Sequence, residues 1–169
     1  MTIEKEQLVS DTILIPARQI CKNKKIDGYL LHHLKKEYER KCHNNGYVLP
    51  DSIEIVQRSV GKIETINNES FIKYNINYKN KSIIPTKDDI FECIIDSITK
   101  MGVIAYLDYK ETDESTIKES PLLFIIPKEF LPEGKIDQLQ KNSKINVKVM
   151  DTRIKFLSEQ IQIIGEAIV

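Results

Sequence analysis

Hydrophobic residues in the first half of the chain follow two different spacings. One set recurs every four residues, which is the spacing of a single helix face, and comprises Ile26, Leu30, Leu34 and Tyr38. Asp27 is positioned to cap the start of this helix, and Asn44-Asn45-Gly46 to end it. Alternating or short apolar runs predict strands at residues 7–15, 47–49, 53–57, 61–66 and 71–79. We therefore expect one helix lying on a small antiparallel sheet.

The second half of the chain has the pattern of short strands throughout. These strands are predicted at residues 90–98, 103–107, 122–126, 145–149 and 161–164. An irregular or short helical stretch, 130–139, separates the third of them from the fourth. Five strands with a helical excursion at this place is the element order of an OB fold. With the turn-like segment 85–89 as the boundary, the sequence predicts an α+β protein with an N-terminal domain at 1–85 and a five-stranded OB barrel at 86–169.

Composition limits the classes of protein that fit these elements. Lys and Arg total 25, and so do Asp and Glu, which gives a net charge of zero. Binding to nucleic acid, if present, must therefore be local and moderate. No apolar run reaches the roughly 18 residues of a membrane span, and the charged start lacks the apolar core of a signal peptide. The three separated cysteines suit reduced thiols, so we expect an intracellular protein without membrane contact.

Patterns typical of catalysis or metal binding are lacking in the sequence. We find no phosphate-binding glycine loop, dinucleotide fingerprint or nucleophile elbow. A zinc site at His32, His33, Cys42 and His43 can be considered. However, adjacent residues on a helix point about 100° apart, and zinc sites with cysteine usually contain a closely spaced pair. Ordinary surface and cap residues are the simpler interpretation, and we expect no catalytic residue, no metal and no cofactor.

The predicted barrel offers a binding surface instead of a catalytic site. OB folds bind single strands through aromatic and basic side chains on their central strands and neighbouring loops. Residues of these types lie on or beside the second and fourth predicted strands, and they are Lys100, Tyr106, Tyr109, Lys148 and Arg153. A tyrosine can stack on a base and a cation can neutralise a phosphate. The alternative is that Tyr106 belongs to the barrel wall and that the lysines are only solvated.

An ordered set of short segments resembles one known family. The segments are 38–48, 61–63, 71–78, 91–95, 100–102, 145–153 and 161–165. The most specific part is the closing strand pair, which runs through Thr152-Arg153 and ends in Ile164-Gly165. In order and spacing, the set is similar to the stalk-subunit family of multisubunit RNA polymerases, which includes polymerase II subunit seven and its archaeal E-prime counterpart. The resemblance covers nearly the whole chain.

This resemblance implies a non-catalytic subunit of a DNA-directed RNA polymerase. An N-terminal tip domain would dock on core polymerase subunits near the clamp, with Gly46, Tyr47, Gly61 and Lys62 in its docking loops. The OB domain would contact nascent RNA weakly and without sequence preference, usually beside a small helical partner subunit. An excess of Ile and Lys is typical of AT-rich genomes, as in many large DNA viruses and some protists. A viral protein would lie in the cytoplasm, in the viral factory or the virion, and otherwise we expect a nuclear protein. The alternative is a stand-alone OB-fold protein that binds single-stranded RNA.

Overall fold

Two compact units make up the chain. The computed structural model describes residues 4–20, 25–43, 46–109 and 117–168. The first unit, termed the N-terminal unit, extends to Glu39 and resumes with Val48–Ser82. The second, termed the barrel unit, comprises Arg40–Tyr47 and the residues from Ile83 onward. The sequence pattern alone assigns residues 40–47 to the first half, whereas these residues group with the second.

One strand, two helices and five further strands precede the barrel along the chain. The elements that precede the barrel are β1 (Glu4–Pro16), α1 (Ala17–Ile20), α2 (Ile26–Tyr38), β2 (Cys42–His43), β3 (Gly46–Val48), β4 (Glu54–Arg58), β5 (Lys62–Ile66) and β6 (Glu69–Ile83). Those of the barrel are β7 (Ile90–Thr99), β8 (Gly102–Leu107), β9 (Leu122–Pro127), β10 (Lys144–Arg153) and β11 (Ile161–Ile168). Short 3-10 helices at Lys128–Phe130 and Ile136–Gln138 lie between β9 and β10, where the sequence predicts an irregular or helical stretch.

Strand β6 organises the sheet of the N-terminal unit. It pairs with β1, and it pairs antiparallel with β4 and β5 along two different stretches. The tight turn from β5 to β6 contains Asn67 and Asn68, whose φ angles are 50° and 63°. Asparagine tolerates this left-handed conformation better than most residues, so the asparagine pair explains why the chain reverses here.

Helix α2 packs its apolar stripe on this sheet. Leu30 and Leu34 are fully buried and share a core with Tyr74 and Ile76 of β6, which are 3% and 1% exposed. The predicted stripe and the predicted alternation along β6 are therefore confirmed. The expected cap is wrong, because Lys25 precedes the helix without a side-chain cap. Asp27 lies inside the first turn, where a negative charge is favourable.

The end of α2 also differs from the prediction. The helix ends at Tyr38, and Arg40 adopts a left-handed φ of 60°. Gly46 belongs to β3, which pairs antiparallel with β2, so it starts a strand and does not cap a helix. Asn44 and Asn45 lie outside the described residues. Over the described part of the chain, no helix has the length and apolar composition needed to cross a membrane.

The five strands β7 to β11 form a closed barrel. Around the barrel the order is β7-β8-β9-β11-β10, with β10 returning to β7. The β9–β11 contact is parallel, and the other strand contacts are antiparallel. This is an OB-like barrel, so the predicted five-stranded barrel is confirmed. Its interior is filled by fully buried apolar side chains, among them Phe124, Val147 and Ile163.

Two glycines of the barrel occupy positions where a side chain does not fit. Gly102, at the start of β8, has a φ of 146°, and a Cβ there would lie 2.1 Å from the carbonyl oxygen of Ile126. Gly165, in β11, faces the interior, and its Cβ would lie 2.2 Å from Cγ1 of Val147. Both strands can approach their neighbours this closely only because no Cβ is present.

Candidate nucleic-acid interface

Two of the predicted RNA-binding cations are exposed on the barrel unit. Lys100 lies in the turn between β7 and β8, where it and Lys128 line a hollow of about 390 Å³. Arg153 ends β10 and lines a separate hollow of about 230 Å³ with Thr152 and Gln162. Within the described residues, neither cation forms an ion pair. Both positive charges can therefore reach a phosphate.

The other three predicted RNA-binding residues are less accessible. Lys148 lies opposite Glu166 in the β10–β11 register, and its Nζ is 3.2 Å from Glu166 Oε2, so a phosphate would compete with this partly exposed ion pair. Tyr106 is only 7% exposed. Base stacking needs an open ring face, so the structure does not offer Tyr106 as a stacking platform. Tyr109 is half-buried just after β8.

The outer face of β8, β9 and β11 carries an aliphatic strip. Ile104 lies opposite Ile125 in the antiparallel β8–β9 pair, and Ile125 lies beside Ile164 in the parallel β9–β11 pair. Ile125 and Ile164 are 40% and 42% exposed. OB folds generally use this region for oligonucleotides, but aliphatic side chains supply neither a π-face nor a positive charge. The strip is suited to apolar contact and poorly suited to nucleic acid.

Phe156 has the open aromatic ring that Tyr106 lacks. The sequence interpretation did not select Phe156. It is 62% exposed, and it is the only exposed aromatic side chain among the described residues. It lies between β10 and β11, in one of the loops that border OB binding surfaces, directly after the exposed Lys155. The signal was the run Arg-Ile-Lys-Phe at 153–156, which interleaves cations with an aromatic residue.

The four predicted docking residues are divided between the two units. Gly46 and Tyr47 are buried residues of β3 that group with the barrel unit, so they present little surface to a partner. Gly61 lies between β4 and β5 of the N-terminal unit, and Lys62, which is exposed, is the first residue of β5. A Cβ on Gly61 would lie 2.6 Å from a methyl carbon of Ile72, so close packing alone accounts for this glycine.

Exposed apolar side chains flank Gly61 and Lys62. Val60 is 84% exposed and Ile63 is 80% exposed, and the sequence interpretation selected neither. Large apolar residues with this exposure are common at protein interfaces when they occur together. The β4–β5 connection therefore has the chemistry of a docking loop, supplied by the residues on either side of the predicted pair.

The buried thiols have the electrostatics of structural cysteines. Burial raises the pKa of Cys42 to about 11, and burial raises the pKa of Cys93 as well, with the nearby Glu92 carboxylate adding to the rise. A reactive cysteine requires a lowered pKa, so neither thiol has the properties of a nucleophile. Over the described ranges, no group of three or more His, Cys, Asp or Glu side chains is arranged to hold a metal ion.

The features that can be used for a functional proposal are the closed barrel, two accessible cations, one exposed aromatic ring and an apolar loop between β4 and β5. Comparison with known proteins adds no family to these features. No protein-family model matches the chain, and no curated protein matches its sequence.

Proposed function

We propose that this protein is a non-catalytic stalk subunit of a multisubunit DNA-directed RNA polymerase. The N-terminal unit would dock on the core enzyme near the clamp, and the barrel unit would contact nascent RNA. The observation that carries the proposal is the closed OB-like barrel, because it occupies the part of the chain where the resemblance to stalk subunits requires one. A small helical partner subunit and a viral polymerase are further parts of the proposal, supported by the resemblance and by the Ile and Lys bias.

The glycines of the resembling segments support the fold part of the proposal. Gly102 closes the segment 100–102, and Gly165 closes the segment 161–165. At both positions a Cβ would collide with the neighbouring strand. These two matches therefore reflect a backbone requirement of the barrel and not merely composition.

The docking part of the proposal is supported by the β4–β5 connection. Val60 in this connection and Ile63 at the start of β5 are more than three-quarters exposed, which is unfavourable in water unless a partner covers them. Gly61 lets the connection lie against Ile72 and Tyr74, because a Cβ would approach both side chains within 3.0 Å. The loop is thus held by its own unit while its apolar side chains point outward.

Affinity purification tests the polymerase assignment. Tagged protein, recovered at physiological salt from the cells that produce it, should bring down the largest polymerase subunits. The double variant Val60→Asp/Ile63→Asp should reduce their recovery severely, whereas Thr65→Asp, at an exposed polar position of β5, should not. Wild-type protein recovered free of polymerase would sink the proposal, and equal recovery with the double variant would exclude this loop as the docking site.

The alternative, a stand-alone protein that binds single-stranded RNA, is favoured by a different observation. Phe156, Arg153 and Lys155 all lie on a barrel unit that is compact by itself. Salt dependence separates the two functions. A stalk subunit with about three phosphate contacts should give a slope of about −2 in a plot of log affinity against log salt. Tight binding without a partner and a clearly steeper slope would favour the alternative.

Charge reversal at the two predicted cations of β10 should have unequal effects. Arg153→Glu should weaken RNA binding and leave polymerase recovery intact. Lys148→Glu should weaken it less, because Lys148 is already paired with Glu166. Loss of polymerase recovery with Arg153→Glu would instead place Arg153 at a protein interface. Filter binding with wild-type protein and both variants measures the difference.

A further inference from the structure

The loop after β10 presents Phe156 on a constrained turn. The backbone N–H of Ser158 donates to the carbonyl oxygen of Lys155 at 3.0 Å, which closes a four-residue turn with Phe156 at its second position. Leu157 occupies the third position with a φ of 59°. A left-handed conformation is unfavourable for a bulky residue, so the turn persists only if the surroundings hold it.

Two contacts hold this turn, and both lie in the barrel unit. On one side, Leu157 N–H donates to Cys42 O at 2.9 Å, and Cys42 N–H donates to Ser158 O at 2.8 Å. On the other side, the Gln160 side-chain amide donates to Ser120 O at 2.9 Å. Cys42 of β2 and Ser120, which precedes β9, therefore stabilise the turn through these hydrogen bonds. The exposed ring of Phe156 is consequently carried by a fixed support.

The groups around Phe156 are those that a single strand of nucleic acid needs. The ring of His43 lies 5.6 Å from that of Phe156, at an angle of 52°, and contacts one side of it. Arg153 and Lys155, both exposed, precede the ring along the chain. Asp151 and Glu159, also exposed, stand on either side of this pair along the chain, and Asp151 lines the same hollow as Arg153. The two cations therefore lie between two carboxylates, which limits the strength of phosphate binding here.

We infer that Phe156, Arg153 and Lys155 form the contact site for single-stranded RNA. The free face of the Phe156 ring stacks on a base, and the two cations contact the phosphates beside it. The site lies at the end of β10 and in the loop that follows it, and its Arg153 lines the same hollow as Ile125 and Ile164 of the aliphatic strip. Identification of the RNA as nascent transcript rests on the proposed function, whereas the location of the site does not.

Tryptophan fluorescence gives a direct test, because the chain contains no tryptophan. Phe156→Trp introduces a single tryptophan. This variant should bind a single-stranded RNA of about 12 nucleotides with wild-type affinity, and its tryptophan fluorescence should be quenched on binding. Phe156→Ala should lower the affinity of the purified full-length protein at least about fivefold, which is the lower end for loss of one stacked base. Lys155→Glu should reduce the salt slope by at least about 0.7. Ile168→Ala, at an exposed apolar position at the end of β11 that does not line the Arg153 hollow, is the matched control and should change neither.

The outcomes separate this inference from the polymerase assignment. Unchanged affinity in Phe156→Ala, or bound RNA without quenching in Phe156→Trp, overturns the inference even if polymerase co-purifies. No RNA binding by wild-type protein overturns it as well and leaves docking standing. Loss of polymerase recovery in Phe156→Ala with RNA affinity unchanged would make the ring a protein contact. Stacking in a protein that does not co-purify with polymerase supports the inference and removes the polymerase assignment. Circular dichroism of each variant checks that the barrel is folded.

Discussion

The contact between Gly165 and Val147 allows the packing of the barrel to be tested by a double-mutant cycle. A Cβ on Gly165 would lie 2.2 Å from Val147 Cγ1, roughly 1.5 Å closer than carbon atoms normally pack. Val147 is fully buried, and strands in a closed barrel cannot separate locally without breaking pairs. Gly165→Ala should therefore lower the free energy of unfolding by about 2–3 kcal/mol, at the upper end for an overpacked core.

Removing Val147 Cγ1 should relieve this overlap. Val147→Ala alone leaves a small cavity and should cost about 2 kcal/mol. In that background Gly165→Ala should be almost neutral, because its methyl group fills the vacated space. The coupling free energy is then about 2 kcal/mol.

Urea unfolding of the four proteins, followed by circular dichroism, measures the coupling. The chain has two compact units, so the barrel transition must be fitted separately from that of the N-terminal unit. Additivity of the two single substitutions within about 0.5 kcal/mol would show that the predicted overlap does not exist in solution.

Three further predictions concern other parts of the chain. Gly102→Ala should destabilise the barrel by about 2–4 kcal/mol, because it adds a backbone clash to an unfavourable φ. Gly134→Ala, at a φ of 76° with no atom within 4 Å of the added carbon, should cost only about 1 kcal/mol, and equal losses in urea unfolding would contradict the clash. Leu34→Asp places a charge in a fully buried position and should unfold the N-terminal unit with a loss of at least about 4 kcal/mol, whereas His32→Asp on the exposed side of α2 should leave its circular dichroism unchanged. Burial raises the pKa of Cys42 from 9.0 to about 11 in the folded protein, because the buried site favours the neutral thiol. This contribution to stability is fully present below pH 9.0 and is lost as the pH rises to about 11. The urea midpoint should therefore fall over this range, and Cys42→Ala should reduce the fall.

Local patterns were sufficient to predict most elements of this fold. The four-residue spacing in α2 and the alternation in β6 both depend on which face is buried, and the buried residues are those expected. The sequence pattern did not predict that residues 40–47 group with the barrel unit. They do so because the backbone of Cys42 forms hydrogen bonds with Leu157 and Ser158. Residue spacing within a segment carries no information on a contact between positions so far apart in the chain.

The candidate site was less predictable for a related reason. Residue type suggested Tyr106 and Lys148 as RNA contacts. Whether a side chain is accessible to RNA, however, depends on the neighbouring residues that other strands bring next to it. Lys148 is satisfied by Glu166 across the β10–β11 pair, and Tyr106 is covered although alternation places it on the outer side of β8. Phe156 lies between the predicted strands 145–149 and 161–164, where neither the helix nor the strand spacing applies, and its exposure is visible only in the folded chain.

The pairing of Cys42 with the loop after β10 also affects the order in which the chain can fold. During synthesis, residues 40–47 leave the ribosome more than 100 residues before their partners Leu157 and Ser158. The N-terminal unit ends with Ser82 and can be complete before residues 157 and 158 are synthesised, whereas the backbone groups of Cys42 have to wait for these partners. We therefore expect the contact between Cys42 and the loop after β10 to form late in folding. We also expect the two units to be difficult to exchange between proteins by a single cut near residue 85, because residues 40–47 group with the barrel unit.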